Sequence, residues 1–456
     1  MKSKKLLEGN IYKTLIMLAV PIMLNNLLQT FYNLTDTYWL GRLNADSMAA
    51  ITLVSPLQNV ITSFGGGLTA GGAVILSQCF GAGDTKKSAD TANQVFLMLM
   101  SFSVIAGLIL FAGCGAMIKG MGADGTVYEY AVLYQRIMSV DIPLIYTINV
   151  YTSVHNSAGK TGKPLALNFI GIVINMILDP LFIVVFGWGV GGAAVATVIS
   201  KIPCSVLAMY FLTRKDAQLR ITPLHIKPDK RTILDIIRTG LPMGIGNSAM
   251  QFGFVLMNKN VMDYGTVAVA AYGIGNKLNG IVSTPSTAMS NAVSIISGQT
   301  KGAGMRKRGI QSMTAGMLMM VCLLAATGFV LSRDTISHAA AGIFSTDAEV
   351  INSAARFLAI MSIMTWTNGV YDSAKGYLTG QGRTLSTVTI NAARLWLFRF
   401  AVLFVCENIL NLGVDSIWYA VTLSNAIAAI VMGVYAIIVI RVNNTKSRFA
   451  YKPVHT

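Results

Sequence analysis

Ile11–Gly41 reads IYKTLIMLAVPIMLNNLLQTFYNLTDTYWLG. This run of about thirty mostly apolar residues exceeds the roughly 20 needed to cross a bilayer. Two charged residues interrupt it, Lys13 and Asp36. Lys13 stands at the start, where its long stem can carry the ammonium to the headgroups. Asp36 is followed by Thr37, Tyr38, Trp39 and Leu40, which places its carboxyl at membrane depth. An ionisable group there costs on the order of 3 kcal/mol unless it faces protein or water, and such groups mark ion and substrate paths. The competing reading is an idle aspartate solvated near the interface.

The composition extends this reading to the whole chain. Of 456 residues, 54% are hydrophobic and 12% charged, and the mean hydropathy is +0.59. That is a polytopic membrane protein. Apolar stretches at 13–40, 48–78, 91–118, 127–155, 163–186, 190–213, 232–258, 268–298, 309–331, 348–374, 384–408 and 414–440 are each long enough to span. The net charge of +16 does not point to nucleic acid, because the basic residues sit in short loops where they set topology. One set of segments holds Lys2, Lys4, Lys5, Lys86, Lys87, Lys160, Lys163, Lys215, Lys230, Lys301, Arg306, Lys307, Arg308, Arg383, Arg441 and Lys452; the alternate loops hold only Arg42, Lys119, Lys259 and Arg333. Both termini are therefore expected in the cytoplasm. No small-residue cleavage site follows the first apolar run, so a retained first helix is expected. The five cysteines have no CxxC spacing and suggest neither a disulfide framework nor a metal site.

The two halves of the chain resemble each other. At an offset of 221, Pro21 pairs with Pro242, Asn26 with Asn247, Gln78 with Gln299, and Gly81-Ala82-Gly83 with Gly302-Ala303-Gly304. At 220, Arg136 pairs with Arg356, Val150-Tyr151 with Val370-Tyr371, Ser153 with Ser373 and Gly162 with Gly382. A near-constant register over this length is an internal duplication. Six spans return each half to the same side, so the repeats are parallel. The predicted fold is all-α and integral to the membrane, with twelve transmembrane helices in two pseudo-symmetric six-helix bundles. The predicted layout is an N-terminal tail over 1–12, an N-lobe over 13–213, a cytoplasmic linker over 214–231, a C-lobe over 232–440 and a C-terminal tail over 441–456.

Polar residues inside the spans narrow the function. Asp179 lies in LNFIGIVINMILDPLFIVVF, with Asn175 four residues earlier on the same helix face. Pro180 cannot donate a backbone hydrogen bond, so the carbonyl of Met176 is freed. A free carbonyl beside two side-chain oxygens suits a small hard cation, and Thr197 could add a hydroxyl. The alternative is that Asn175 and Asp179 satisfy each other and pin two helices. The second half lacks this set: by the offsets Asp36 corresponds to Met257 and Asp179 to Arg399. Coupling is therefore placed in the first half. Arg394 and Arg399 suggest a structural pair or snorkelling, Asp372 a solvated partner of Lys375, and mid-span Asp141 has no role assigned from sequence. Gly159-Lys160-Thr161 lacks the earlier glycine and the strand of a phosphate loop and suggests a basic turn. With no nucleotide site, an ion gradient must drive any active transport. Twenty-four methionines suit a cavity for varied apolar ligands, although packing accounts for most of them.

Together these pieces resemble the multidrug and toxic compound extrusion (MATE) family, in its bacterial MepA-like and DinF-like branch. The resemblance is carried by Leu18-Ala19-Val20-Pro21, by Tyr32-Asn33-Leu34-Thr35-Asp36 with Gly41, by Gly81-Ala82-Gly83-Asp84, by Asn156–Pro164 and by Asn175 with Asp179-Pro180. It implies efflux of amphipathic, often cationic small molecules by antiport with protons or sodium, from the bacterial inner membrane. It places the coupling ion at Asp36, Asn175, Asp179 and Thr197 and a bend of the first helix at Pro21. Gln29, Asn33, Asn149, Asn168, Asn247 and Gln251 are expected around the substrate. No catalytic residue, cofactor or structural metal is expected, sodium at the coupling site aside, and a monomer is expected. A lipid-linked oligosaccharide flippase of the same superfamily is the alternative. A membrane prenyl transferase would need paired acidic motifs for magnesium pyrophosphate, and the sequence has none.

Overall fold

The computed structural model describes residues 6–41, 43–214, 219–223 and 226–450, the side chains of 45 and 443–450 excepted. The expectations placed on Lys2, Lys4, Lys5, Arg42, Lys215 and Lys452 lie outside the described residues. The described chain is helical and contains no strand among the described residues. In chain order the helices are α1 (Ile11–Leu40), α2 (Ala45–Gly81), α3 (Thr85–Gly120), α4 (Gly125–Ser157), α5 (Gly162–Pro180), α6 (Gly189–Thr213), α7 (Lys230–Met262), α8 (Thr266–Gly302), α9 (Arg306–Leu331), α10 (Asp334–Gly342), α11 (Ala348–Met364), α12 (Thr367–Gly380), α13 (Thr384–Ala393), α14 (Phe400–Asn408) and α15 (Asp415–Ala450). A π-helical segment, Leu181–Val185, continues α5, and another, Arg394–Arg399, joins α13 to α14.

Local chemistry sets the helix ends. The Asn44 side chain accepts from the Ser47 amide and starts α2, and the Asp84 side chain accepts from the Lys87 amide and starts α3. The duplicated Gly-Ala-Gly turns close α2 and α8 in the same way. Gly83 and Gly304 adopt φ of 74° and 70°, a region where a Cβ is strained. Gly159, at φ 74°, likewise ends α4, and the Lys160 amide donates to the His155 carbonyl at 2.8 Å. The Gly-Lys-Thr run is thus a helix C-terminus, as the missing strand implied.

Among the described residues, nine helices are long and apolar enough to cross a membrane, or ten if α11 and α12, bent by 58°, form one span. The twelve expected from sequence would also include α7 and α8. At 33 and 37 residues they are long enough, but Asn247, Gln251, Asn276, Lys277 and Asn279 make them more polar.

By packing the chain divides into two units. The first is Pro21–Ser248; the second joins Met1–Val20 to Ala249–Thr456. Both divisions fall inside helices, α1 at Val20–Pro21 and α7 at Ser248–Ala249. In the second unit, Arg308 Nε donates to the Leu6 carbonyl at 3.0 Å, so the segment before α1 is tied to the start of α9. The core of the first unit contains Leu76, Leu99, Val150, Tyr151 and Leu212. There the Tyr146 hydroxyl donates to the Ile61 carbonyl at 3.0 Å. The core of the second unit is built on an aromatic stack, with Phe357 and Trp418 ring centroids 4.5 Å apart and Tyr272 alongside.

Candidate functional site

Asn175 and Asp179, one helical turn apart on α5, are both buried, at 1% and 0% exposure. Asn175 Nδ2 donates to Asp179 Oδ1 at 3.0 Å. The pair does not satisfy itself. Asn175 Oδ1 and Asp179 Oδ2 are buried acceptors with no hydrogen-bond partner. An orphaned buried oxygen costs about 1–3 kcal/mol, and more when the group is charged. Pro180 begins the reason for the local geometry. It carries no N–H, and the helix widens into the π-segment Leu181–Val185 immediately after it.

The other expected coupling residues converge on this pair. Asp36, half-buried on α1, stands close enough to Asp179 for the two carboxyls to act on each other electrostatically. Thr197, buried on α6, faces the Tyr32 hydroxyl. Tyr32 and Tyr134 are within the field of both Asp36 and Asp179. All of these residues belong to the first unit. Among the described residues no group of three or more His, Cys, Asp or Glu side chains is arranged to hold a metal. Any cation here would rest on Asn and Thr oxygens as well as the two carboxylates.

A cleft of about 840 Å³, counted out to its open mouth, lies beside this cluster. Gln29, Asn149 and Asn168, three of the expected lining residues, line it together with Asn25, Tyr32 and Lys201. Asn168 Nδ2 donates to Asn25 Oδ1 at 2.7 Å, which ties α5 to α1. Asn33 is exposed, one turn from Gln29, whose amide donates to it at 3.4 Å. Asn247 and Gln251 are also exposed, on α7, and neither lines this cleft.

Asp141 now has a partner. Lys201 Nζ contacts Asp141 Oδ2 at 2.5 Å, and Asp141 is only 4% exposed. Lys201 also lies in the field of Asp36. Sequence reasoning gave no role to Tyr32, Tyr134 or Lys201. Helical spacing contained a signal for two of them, since Tyr32 is four residues before Asp36 and Lys201 four after Thr197, each on the same face as a chosen residue. Removing Lys201 alone leaves a buried carboxylate unpaired, which costs about 3 kcal/mol or more. Lys201→Met is therefore expected to lower the unfolding temperature in detergent clearly, and Asp141→Asn combined with it to restore most of the loss. Equal destabilisation by the single and double variants would show that the pair is not coupled.

A family model described as MatE matches residues 21–181 and again 242–405. The two matches begin at the same offset that the internal repeat shows. The chain belongs to the MatE family. It is a multi-pass membrane protein of a transporter family, and the relatives it matches are transporters rather than enzymes. It is 25% identical over 432 residues to the probable multidrug resistance protein YoeA of Bacillus subtilis, covering 91% of each chain. It is 25% identical over 441 residues to the multidrug export protein MepA of Staphylococcus saprophyticus, covering 93% of each. The fold is that of a solved MATE in complex with MaD3S, with a TM-score of 0.92 at 22% identity, over 98% of this chain and 99% of that one. An outward-facing multidrug resistance MATE transporter of the MOP superfamily matches with a TM-score of 0.90, also at 22% identity.

Proposed function

We propose that this MatE-family chain is a secondary antiporter that exports amphipathic, often cationic small molecules in exchange for protons or sodium ions across the bacterial inner membrane. The observation that carries the reading is the pair of orphaned oxygens, Asn175 Oδ1 and Asp179 Oδ2, buried beside Asp36. Two negative charges in a low-dielectric cluster repel each other, and a bound proton or sodium ion relieves that repulsion. Thr197 supplies a further oxygen on the sodium reading. The adjoining cleft offers amide oxygens and the apolar Ile145, Ile148 and Ile172 to an amphipathic cation. Antiport follows if the ion and the drug each weaken the other's binding, a coupling that must be reciprocal.

Pro21 suits the bend assigned to it. It stands where α1 passes from one packing unit to the other, and it cannot bond to the Met17 carbonyl. The test uses everted vesicles or proteoliposomes loaded with a cationic dye, first under an imposed pH gradient and then under an imposed sodium gradient. Efflux driven by one of the two names the ion; efflux driven by neither, with active protein, ends the antiport reading.

A further inference from the structure

The second unit carries the opposite charge at the corresponding place. Arg399, the repeat counterpart of Asp179, is 5% exposed and lies in the π-segment that joins α13 to α14. Its Nε donates to Ser424 Oγ at 3.2 Å and one terminal nitrogen to Asn425 Oδ1 at 3.3 Å, so neutral groups hold it. Arg394, five residues earlier in the same π-segment, lies over the Tyr371 ring with its guanidinium carbon 5.0 Å from the centroid. Lys375 Nζ is 6.0 Å from the same centroid. The Tyr371 hydroxyl is committed elsewhere, donating to Asn391 Oδ1 at 2.8 Å.

These three cations lack a matching set of anions. None makes an ion pair with a carboxylate among the described residues. Among the described residues Asp372 acts on Lys375, and one carboxylate cannot balance three positive charges. Arg394 Nε is buried with no hydrogen-bond partner. Uncompensated charge inside a membrane protein is costly and marks ligand or counter-ion sites. A guanidinium held over an aromatic ring makes no hydrogen bond to that ring's face, and its N–H groups match the two oxygens of a carboxylate.

We propose that Arg394 and Lys375, gathered on the Tyr371 ring, form an anion site in the second unit that takes a carboxylate group. The occupant would be the acid end of a zwitterionic amphipathic substrate, which extends the substrate class beyond plain cations. This rests on the small-molecule efflux reading above. A free inorganic anion such as chloride shares the chemistry and could occupy the same place.

Two dyes differing only at a carboxyl separate these cases. Rhodamine 110 carries the free carboxylate, and rhodamine 123 is its methyl ester. Binding of each to purified protein is followed by fluorescence polarisation, and efflux of each from loaded vesicles is measured in parallel. Arg394→Gln and Lys375→Gln are each expected to weaken rhodamine 110 binding roughly tenfold, the scale of one charge-assisted hydrogen bond, while rhodamine 123 binding changes less than twofold. Arg394→Lys should recover only part of the loss, because a lysine cannot pair in two places. Displacement of rhodamine 110 from wild type by millimolar chloride, absent in both variants, would support the site with the inorganic ion as its ordinary occupant. Wild-type rhodamine 110 binding in both Gln variants overturns the proposal, as does an equal loss for both dyes, which would report a general disturbance of the fold. Failure to export rhodamine 123 would count against the efflux reading instead, since that dye does not use the anion site.

Discussion

Asp36→Asn is expected to abolish gradient-driven efflux while leaving membrane insertion and folding intact. Asparagine keeps the size and shape of the side chain, so α1 can pack as before, but it removes the charge that the coupling ion must neutralise. Without that charge, a proton has nowhere to load at this position and a sodium ion loses one of its two carboxylates. The residual cluster would keep the Asn175–Asp179 hydrogen bond and one negative charge, with no reason to exchange ions as the drug binds. Dye efflux under the driving gradient should fall to the level of vesicles without the protein. Asp179→Asn should be nearly as damaging, since it removes the orphaned carboxylate oxygen itself. Thr197→Ala removes a single neutral ligand and should cost roughly fivefold if sodium is the ion, the scale of one ordinary hydrogen bond. It should cost little if the ion is a proton. Wild-type efflux by Asp36→Asn at matched expression would sink the mechanism.

Most of the architecture was written in patterns that survive without an alignment. Apolar length gave the helices, and the offset of 221 gave the duplication, which the family model reproduces by matching twice. Candidate site residues were legible where a charge broke an apolar run, because such a break is costly enough to need a reason. Asp36 and Asp179 stand out that way, and their carboxyls lie within electrostatic reach of each other. Asp141 broke a run too, but its meaning depended on Lys201 from a helix 60 residues later, and no local pattern records that contact. Tyr134 escaped because a tyrosine in a span is ordinary, and Tyr32 because its spacing from Asp36 does not reveal that its hydroxyl faces Thr197. Asn247 and Gln251 were chosen as polar, uncharged groups of the second half, and they are exposed on α7 and do not line the first-unit cleft. The division at Val20–Pro21 could not be read either. Nothing in the hydropathy of α1 shows that its opening residues pack with the second unit.

The second unit offers a test of a different kind, in the glycines that set how closely its helices approach. Lys375-Gly376-Tyr377-Leu378-Thr379-Gly380 places two glycines four apart on one face of α12. That face meets the face of α8 that carries Ser290, Ser294 and Ser297. A Cβ added at Gly376 would lie 2.3 Å from the Ser290 carbonyl oxygen, and one at Gly380 would lie 2.4 Å from that of Ser294. The obstacle in each case is backbone, which cannot rotate away as a side chain can. Small residues are needed at such crossings because association in lipid depends on close packing rather than on the hydrophobic effect. The same contact lets Ser297 Oγ donate to the Tyr377 carbonyl at 2.8 Å and Lys301 Nζ to that of Gln381 at 2.7 Å. Gly376→Val must push α12 from α8 and break these bonds, and it should cost more than the about 1–3 kcal/mol usual for overpacking. Thermal unfolding in detergent should show a large drop, with much of the protein lost to aggregation on purification. Because Tyr371 and Lys375 ride on the same helix, any folded fraction should also bind rhodamine 110 poorly. Gly280→Ala on α8 is the control, since nothing lies within 4 Å of a Cβ there and alanine favours a helix over glycine; it should be neutral or slightly stabilising. Wild-type stability in Gly376→Val would mean that the α8–α12 crossing is looser than its geometry states.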